Sequence, residues 1–198
     1  MVGLRPSHRF RGMMLAAIAL VLSAACGDAD RPAPRDEASL APYVATPQMI
    51  VDEMLRLANV GKDDVLYDLG SGDGRIVITA ARTYGTRGVG FELDAGLVSQ
   101  STENARRAGV AHLVEFRHQD VVTVKLSPAT VVTIYLSREA NLKLRPAVQT
   151  QLRTGARVVT HDYDMGDWEP EAIRPLVDES GRMRILYLWR IAARRPGS

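Results

Sequence analysis

Seven consecutive residues, Asp68-Leu69-Gly70-Ser71-Gly72-Asp73-Gly74, narrow what this chain can fold into more than any other feature. An apolar run, Val65-Leu66-Tyr67, leads into them, and an apolar-periodic stretch starting at Arg75 leads out. Strand, glycine turn and helix in direct succession predict the opening of a βαβ unit. Glycine lets the backbone approach a ligand closely. Two cofactor classes use such a turn. Dinucleotide sites use G-x-G-x-x-G and seat a pyrophosphate on the helix N-terminus. Here the third glycine comes one residue early and Asp73 lies inside the loop. A carboxylate there repels a pyrophosphate but suits the ammonium and sulfonium of S-adenosylmethionine. The loop predicts that cofactor over a nicotinamide.

The chain has 198 residues, enough for one domain with a sizeable core. Thr46-Pro47 predicts a helix start, with Thr46 as the cap and Pro47 in the first turn. Ile50, Val51, Met54, Leu55 and Ala58 then fall on one helical face. Strands are expected over 65–68, 88–92, 114–118, 130–135 and 157–160, with two later ones over 173–177 and 184–191. Helices are expected over 75–84, from Asp94 to near Gly109, and from a Ser137 cap to about Leu152. Alternation with short links predicts a three-layer, doubly wound, mostly parallel α/β fold. Its Rossmann-like sheet has seven strands, and an extra helix precedes it.

In such sheets the ligand sits beyond the carboxyl ends of the strands. Asp68, Gly70, Ser71, Gly72, Gly74, Glu92, Asp120, Tyr135 and Ser137 are therefore expected at one edge. Glu92 ends the second strand and suits both ribose hydroxyls, or is a solvated strand end. Asp120 suits the adenine amino group, or caps a turn. His161 and Asp162 follow the fifth strand and could assist a proton transfer, or be structural. Trp168 could wall a lysine chain through cation–π attraction of roughly 0.5–2 kcal/mol, or simply pack. Asn141 could bond the acceptor or merely sit in a helix. No P-loop, clustered metal-ligand set or Gly-x-Ser-x-Gly elbow is present in the sequence.

DLGSGDGR with the downstream acid resembles the class I, seven-strand methyltransferases over about residues 43–192. YVATP, GFELD, TIYLSREANLKLRP and HDYDMGDWEP narrow the likeness. Together they resemble the archaeal broad-specificity protein-lysine methyltransferases. They are also similar to the mitochondrial enzymes acting on ATP synthase subunit c and the adenine nucleotide translocase. Ala45 stands where that group has proline. The resemblance implies that Gly70, Gly72 and Gly74 line the methionine part of S-adenosylmethionine, with Asp68 near its amino group. It implies that Glu92 holds the ribose, Asp120 the adenine, and that Tyr43 and Thr46 close over the methionine end. The turn at Tyr135, Leu136 and Ser137 would face the transferring methyl. The implied acceptor is protein lysine. The Asn/Asp-Pro-Pro-Tyr/Phe signature of nucleic-acid amino methylation is absent, so no nucleic-acid partner is expected. A small-molecule methyltransferase and a cofactor-binding module without turnover are the alternatives.

Charge adds little: 25 basic residues face 23 acidic ones, and setting aside Arg5, Arg9 and Arg11 leaves 22 basic. Those three arginines precede an apolar run, residues 13–25, too short to span a bilayer that needs about 20 helical residues. The run ends at Cys26, the only cysteine. Ser23, Ala24 and Ala25 resemble a lipoprotein cleavage box, with Leu22 four residues before the cysteine where the pattern has it three before. Three readings stay open: a lipoprotein anchored through lipidated Cys26, another export or anchor signal, and a misassigned start codon with a cytoplasmic protein. Residues 1–25 are thus expected to be a leader. Residues 26–42, rich in Asp, Arg, Pro and Ala, are a flexible tether, and 43–198 the folded domain.

Overall fold

The computed structural model describes residues 43–193. The expected leader, the tether and Cys26 lie outside the described residues. These form a seven-stranded sheet in the order β3-β2-β1-β4-β5-β7-β6. The strands are β1 Val65–Leu69, β2 Arg87–Glu92, β3 Val114–His118, β4 Val131–Ile134, β5 Arg157–His161, β6 Ala172–Val177 and β7 Met183–Arg190. β1 to β5 pair in parallel, whereas β7 is antiparallel to both β5 and β6. The four α-helices among the described residues are α1 Gln48–Leu57, α2 Arg75–Tyr84, α3 Ala95–Arg107 and α4 Arg138–Gln151.

Period-2 alternation sends each strand's side chains to two cores. Leu66, Val131 and Val159 face the core built with α1 and α2, through Ile50, Met54, Ile76 and Val77. Tyr67, Val132, Ile134 and Val158 face the other core, with Leu144, Val148 and Leu152 of α4. Full burial of each such side chain contributes roughly 1.5–3 kcal/mol. α3 lies beside α2, sharing Ile78, Ala81, Ala105 and Val110. The second face is thinner than the alternation implies. Between β3 and β4 the chain makes only the 3-10 turn Val121–Thr123, and Val121, Val124, Leu126 and Ala129 fill the space a helix would cover.

Asp94 caps α3 through Gly96 and Leu97, and Ser137 caps α4 through Ala140, both as expected. Thr46 does not cap α1. Pro47 takes the N-cap position without a side-chain bond. Thr46 is instead buried, and its carbonyl accepts from Arg75 Nη1 at 2.8 Å. That contact spans 29 residues, so local sequence does not announce it. Pro175 lies on the edge strand β6, where a missing N–H is tolerated. Among the described residues no helix is long and apolar enough to cross a membrane.

Candidate functional site

Parallel pairing brings the carboxyl ends of β1, β2, β3, β4 and β5 to one edge. Asp68, Glu92, Tyr135 and His161 thereby become neighbours in space. Asp120 joins them because Gln119 N–H donates to the Glu92 carbonyl at 2.9 Å.

The glycine loop is shaped by what crowds it. Gly72 has φ +53° and its open face lies against the Tyr43 ring, so any Cβ would strike that ring. Gly74 has φ +81°, and a Cβ there would meet Phe116 Cζ at 2.6 Å and Ser101 Cβ at 2.8 Å. Both positions exclude L side chains twice over, by conformation and by space. Glu92 fastens the loop to β2: Oε2 accepts from Gly72 N–H at 2.8 Å, and Oε1 from Leu93 and Asp94 N–H at 2.7 and 3.0 Å. Arg75 holds Asp73 through Nε and Nη2 at 2.9 and 2.6 Å. Burial raises the Asp73 pKa, but the Arg75 bonds and charge outweigh it and hold the carboxyl below its usual range. By also bonding the Thr46 carbonyl, Arg75 joins the segment before α1 to the loop.

Asp68 behaves differently. It is 1% exposed, Oδ1 accepts from Thr133 Oγ1 at 2.7 Å, and Oδ2 has no partner. Burial, opposed by the Thr133 bond and reinforced by Glu92 and Asp73, pushes its pKa up to about 7. Ser71 Oγ is likewise buried without a partner. A buried carboxylate oxygen and a buried hydroxyl, both without partners at the glycine loop, fit a ligand presenting an ammonium group.

A second group of polar residues gathers past β4. Tyr135 stacks on His161 with centroids 3.9 Å apart. His161 is fully buried, and neither ring nitrogen is hydrogen-bonded. Nε2 lies 3.4 Å from Asp162 Oδ2, within ion-pair range but without hydrogen-bond geometry. Burial lowers the imidazole pKa to about 4 and outweighs Asp162, so the ring is neutral and the contact is not an ion pair. Asp162 adopts φ +63° and accepts from Arg184, which also holds Asp178. Burial, followed by the Asp162 charge, raises the Tyr135 pKa.

Several candidates have structural partners. Ser137 caps α4, and Asp120 accepts from Val122 N–H at 3.0 Å as a turn cap. Asn141 Nδ2 donates to the Tyr163 and Asp164 carbonyls at 2.9 and 3.3 Å, tying α4 to the segment after β5. The structure does not bring Trp168 to the edge. Its ring packs 5.6 Å from Trp189, which pairs with Val158 three residues before His161. Thr133, Arg184 and Phe116 were not legible as site residues, because their partners lie on other elements. Arg75 was foreshadowed only by closing the DLGSGDGR motif.

A sequence profile of the ANTKMT methyltransferase domain matches residues 68–172, from the buried carboxylate of β1 to the first residue of β6. The chain belongs to this family. The methyltransferase is 36% identical over 149 residues to a protein from Saccharolobus islandicus named protein-lysine N-methyltransferase, covering 75% of this chain and 92% of that one. It is 33% identical over 132 residues to the mouse adenine nucleotide translocase lysine N-methyltransferase. That match covers 67% of this chain but only 57% of the mouse protein. Among solved structures, it is similar to an RNA methyltransferase from Salinibacter ruber in complex with S-adenosyl-L-homocysteine. There the TM-score is 0.71 at 53% identity, covering 78% of this chain and 98% of that one.

Proposed function

We propose that this methyltransferase moves a methyl group from S-adenosylmethionine to the amino nitrogen of a protein lysine. The observation that carries the lysine reading is the segment 162–171, which starts at the carboxyl end of β5. It holds Asp162, Asp164, Asp167, Glu169 and Glu171 and no Lys or Arg. The nearby arginines are already engaged by these acids: Arg184 by Asp162, Arg138 by Asp164, Arg145 by Asp167 and Arg190 by Glu171. They are not offered to a phosphate backbone, and with five acids against four arginines the segment keeps an acidic excess that favours a cationic side chain. The names of the Saccharolobus and mouse relatives point the same way.

Asp68 Oδ2 and Ser71 Oγ receive the cofactor's ammonium, and Gly70, Gly72 and Gly74 pass its methionine part. Glu92, already oriented by three backbone N–H groups, accepts from the ribose hydroxyls, and Asp120 accepts from the adenine amino group. Tyr43 and Thr46, joined to the loop by Arg75, cover the methionine end. The bound cofactor supplies a methyl carbon activated by its sulfonium. Transfer would form a nitrogen–carbon bond as the carbon–sulfur bond breaks, with S-adenosylhomocysteine as the leaving group and the acceptor amine's proton passing to solvent. The chain's task is to align the two groups about 3 Å apart and exclude bulk water.

The 53% identity to the Salinibacter protein favours RNA as the second reading. Labelled methyl transfer into a lysate of the source organism, with protein, RNA and metabolite fractions counted separately, distinguishes them. Methyllysine in the protein fraction is the expected result. Label confined to RNA or metabolites rejects lysine, and cofactor binding without any label identifies a module lacking turnover.

We also propose that residues 1–25 are a lipoprotein leader and that Cys26 anchors the domain at the cell envelope. Support comes from the apolar run and the small residues before the cysteine. Palmitate labelling of wild type and Cys26→Ser with fractionation tests this, and an unlabelled soluble protein rejects it.

A further inference from the structure

Five buried side-chain atoms among the described residues lack a hydrogen-bond partner: Asp68 Oδ2, Ser71 Oγ, Asn141 Oδ1 and both ring nitrogens of His161. All lie at the carboxyl edge of the sheet or on the first turn of the helix leaving it. Leaving each unbonded is costly, so a fold that collects them at one edge has a use for them there. They divide into two sets. Asp68 and Ser71 belong to the glycine loop and are accounted for by the cofactor's ammonium. Asn141 and His161 are not accounted for.

These two residues share one turn. Asn141 Nδ2 donates to the Tyr163 carbonyl, Thr160 Oγ1 donates to the same carbonyl at 2.5 Å, and Tyr163 N–H donates to the His161 carbonyl at 2.9 Å. The amide is oriented by its two carbonyl partners, so the bare atom is the oxygen. Neutral imidazole has one accepting nitrogen, and which one it is depends on the tautomer. The unmet groups are therefore two acceptors and one imidazole N–H, and the two acceptors call for a ligand bearing N–H groups. A structural explanation for His161 is weak. Its stack on Tyr135 would be served as well by phenylalanine, without two bare nitrogens.

The roof is shared too. Leu136 Cδ2 lies 2.6 Å from where a Gly70 Cβ would stand, and the Tyr135 ring covers His161. One turn after β4 thus touches both the glycine loop and His161. We propose that Asn141 Oδ1 and the His161 imidazole form the acceptor-nitrogen subsite, taking the N–H groups of the substrate amine and aiming its lone pair at the methyl carbon. Asp162 lies beside this subsite and favours an amine carrying partial positive charge, while Arg184 keeps Asp162 in place. The inference rests on the reaction being N-methylation.

The test compares full-length wild type with His161→Phe, which keeps the stack and removes the nitrogens. Cofactor affinity is measured by calorimetry, and methyl incorporation is measured into source-lysate protein. The expected result is cofactor affinity within twofold of wild type and turnover reduced at least tenfold. Turnover within twofold of wild type overturns the proposal, as does a loss mirrored in cofactor affinity. His161→Gln, which retains a hydrogen-bonding group, decides the matter if the phenylalanine chain fails to fold. An apparent acceptor KM changed at least fivefold at constant cofactor affinity supports the subsite, and an unchanged KM overturns it. A readout independent of turnover is the imidazole ¹⁵N resonance of His161 with S-adenosylhomocysteine present. It should shift on titrating n-butylamine and not on titrating inorganic phosphate, and no shift with the amine overturns the proposal. Label found on RNA instead of protein would defeat the lysine reading alone, since the histidine comparison then runs on the RNA amine.

Discussion

Burial pushes the Asp68 carboxyl well above the usual carboxylate range, against its Thr133 bond and with Glu92 and Asp73 adding to the effect. Its folded pKa of about 7 lies above the ordinary 3.8, so an ammonium ligand must draw a proton off it whenever pH is below about 7. Cofactor affinity should therefore rise as pH increases toward 7 and level off above it. Calorimetry at pH 6 in buffers of different ionisation enthalpy should show net proton release on binding, and Asp68→Asn should abolish that release. At Gly72 the constraint is steric. Gly72→Arg places a side chain into the Tyr43 ring at positive φ, and cofactor affinity should fall at least tenfold. Glu92→Ala should cost a similar factor, since it removes the acceptors that hold Gly72 N–H and orient the loop. Equal affinity in either variant, measured by titration, would separate these residues from the cofactor.

The elements were mostly legible because their signals are local. Asp94 and Ser137 each cap the helix that starts one residue later, and Gly85 closes α2 in the left-handed region. Asp94→Ala should lower stability by about 1 kcal/mol, read from chemical denaturation. Thr46 shows where local reasoning stops. A threonine before Pro-Gln reads as a cap, yet a guanidinium 29 residues away takes its carbonyl and buries it. The β6–β7 hairpin is joined to the site by Arg184, which bridges Asp178 near the hairpin turn and Asp162 after β5 at 2.8 Å each. Removing one partner of a partly buried charge cluster leaves the others uncompensated and destabilises the fold. Arg184→Ala should lower the thermal midpoint by several degrees and weaken turnover more than cofactor affinity, because His161 and Tyr135 lie on its side of the site. An unchanged midpoint would show that the hairpin does not brace the site.

For the molecule as a whole, the alternation of strand and helix was enough to fix the doubly wound class, the seven strands and the edge where a ligand must sit. The glycine spacing was enough to separate a sulfonium cofactor from a pyrophosphate one, because one residue of spacing is written in the chain itself, whereas Asp73, read as a charge facing the ligand, is paired with Arg75. What needed the tertiary structure was every relation between elements. The structure set Trp168 on Trp189 rather than at the edge, left the β3–β4 link without a helix, and left His161 and Asn141 Oδ1 buried without partners. Whether a buried polar atom is bonded depends on which distant segment packs over it. That is decided by the three-dimensional arrangement of strands and helices, and periodicity along the chain does not encode it.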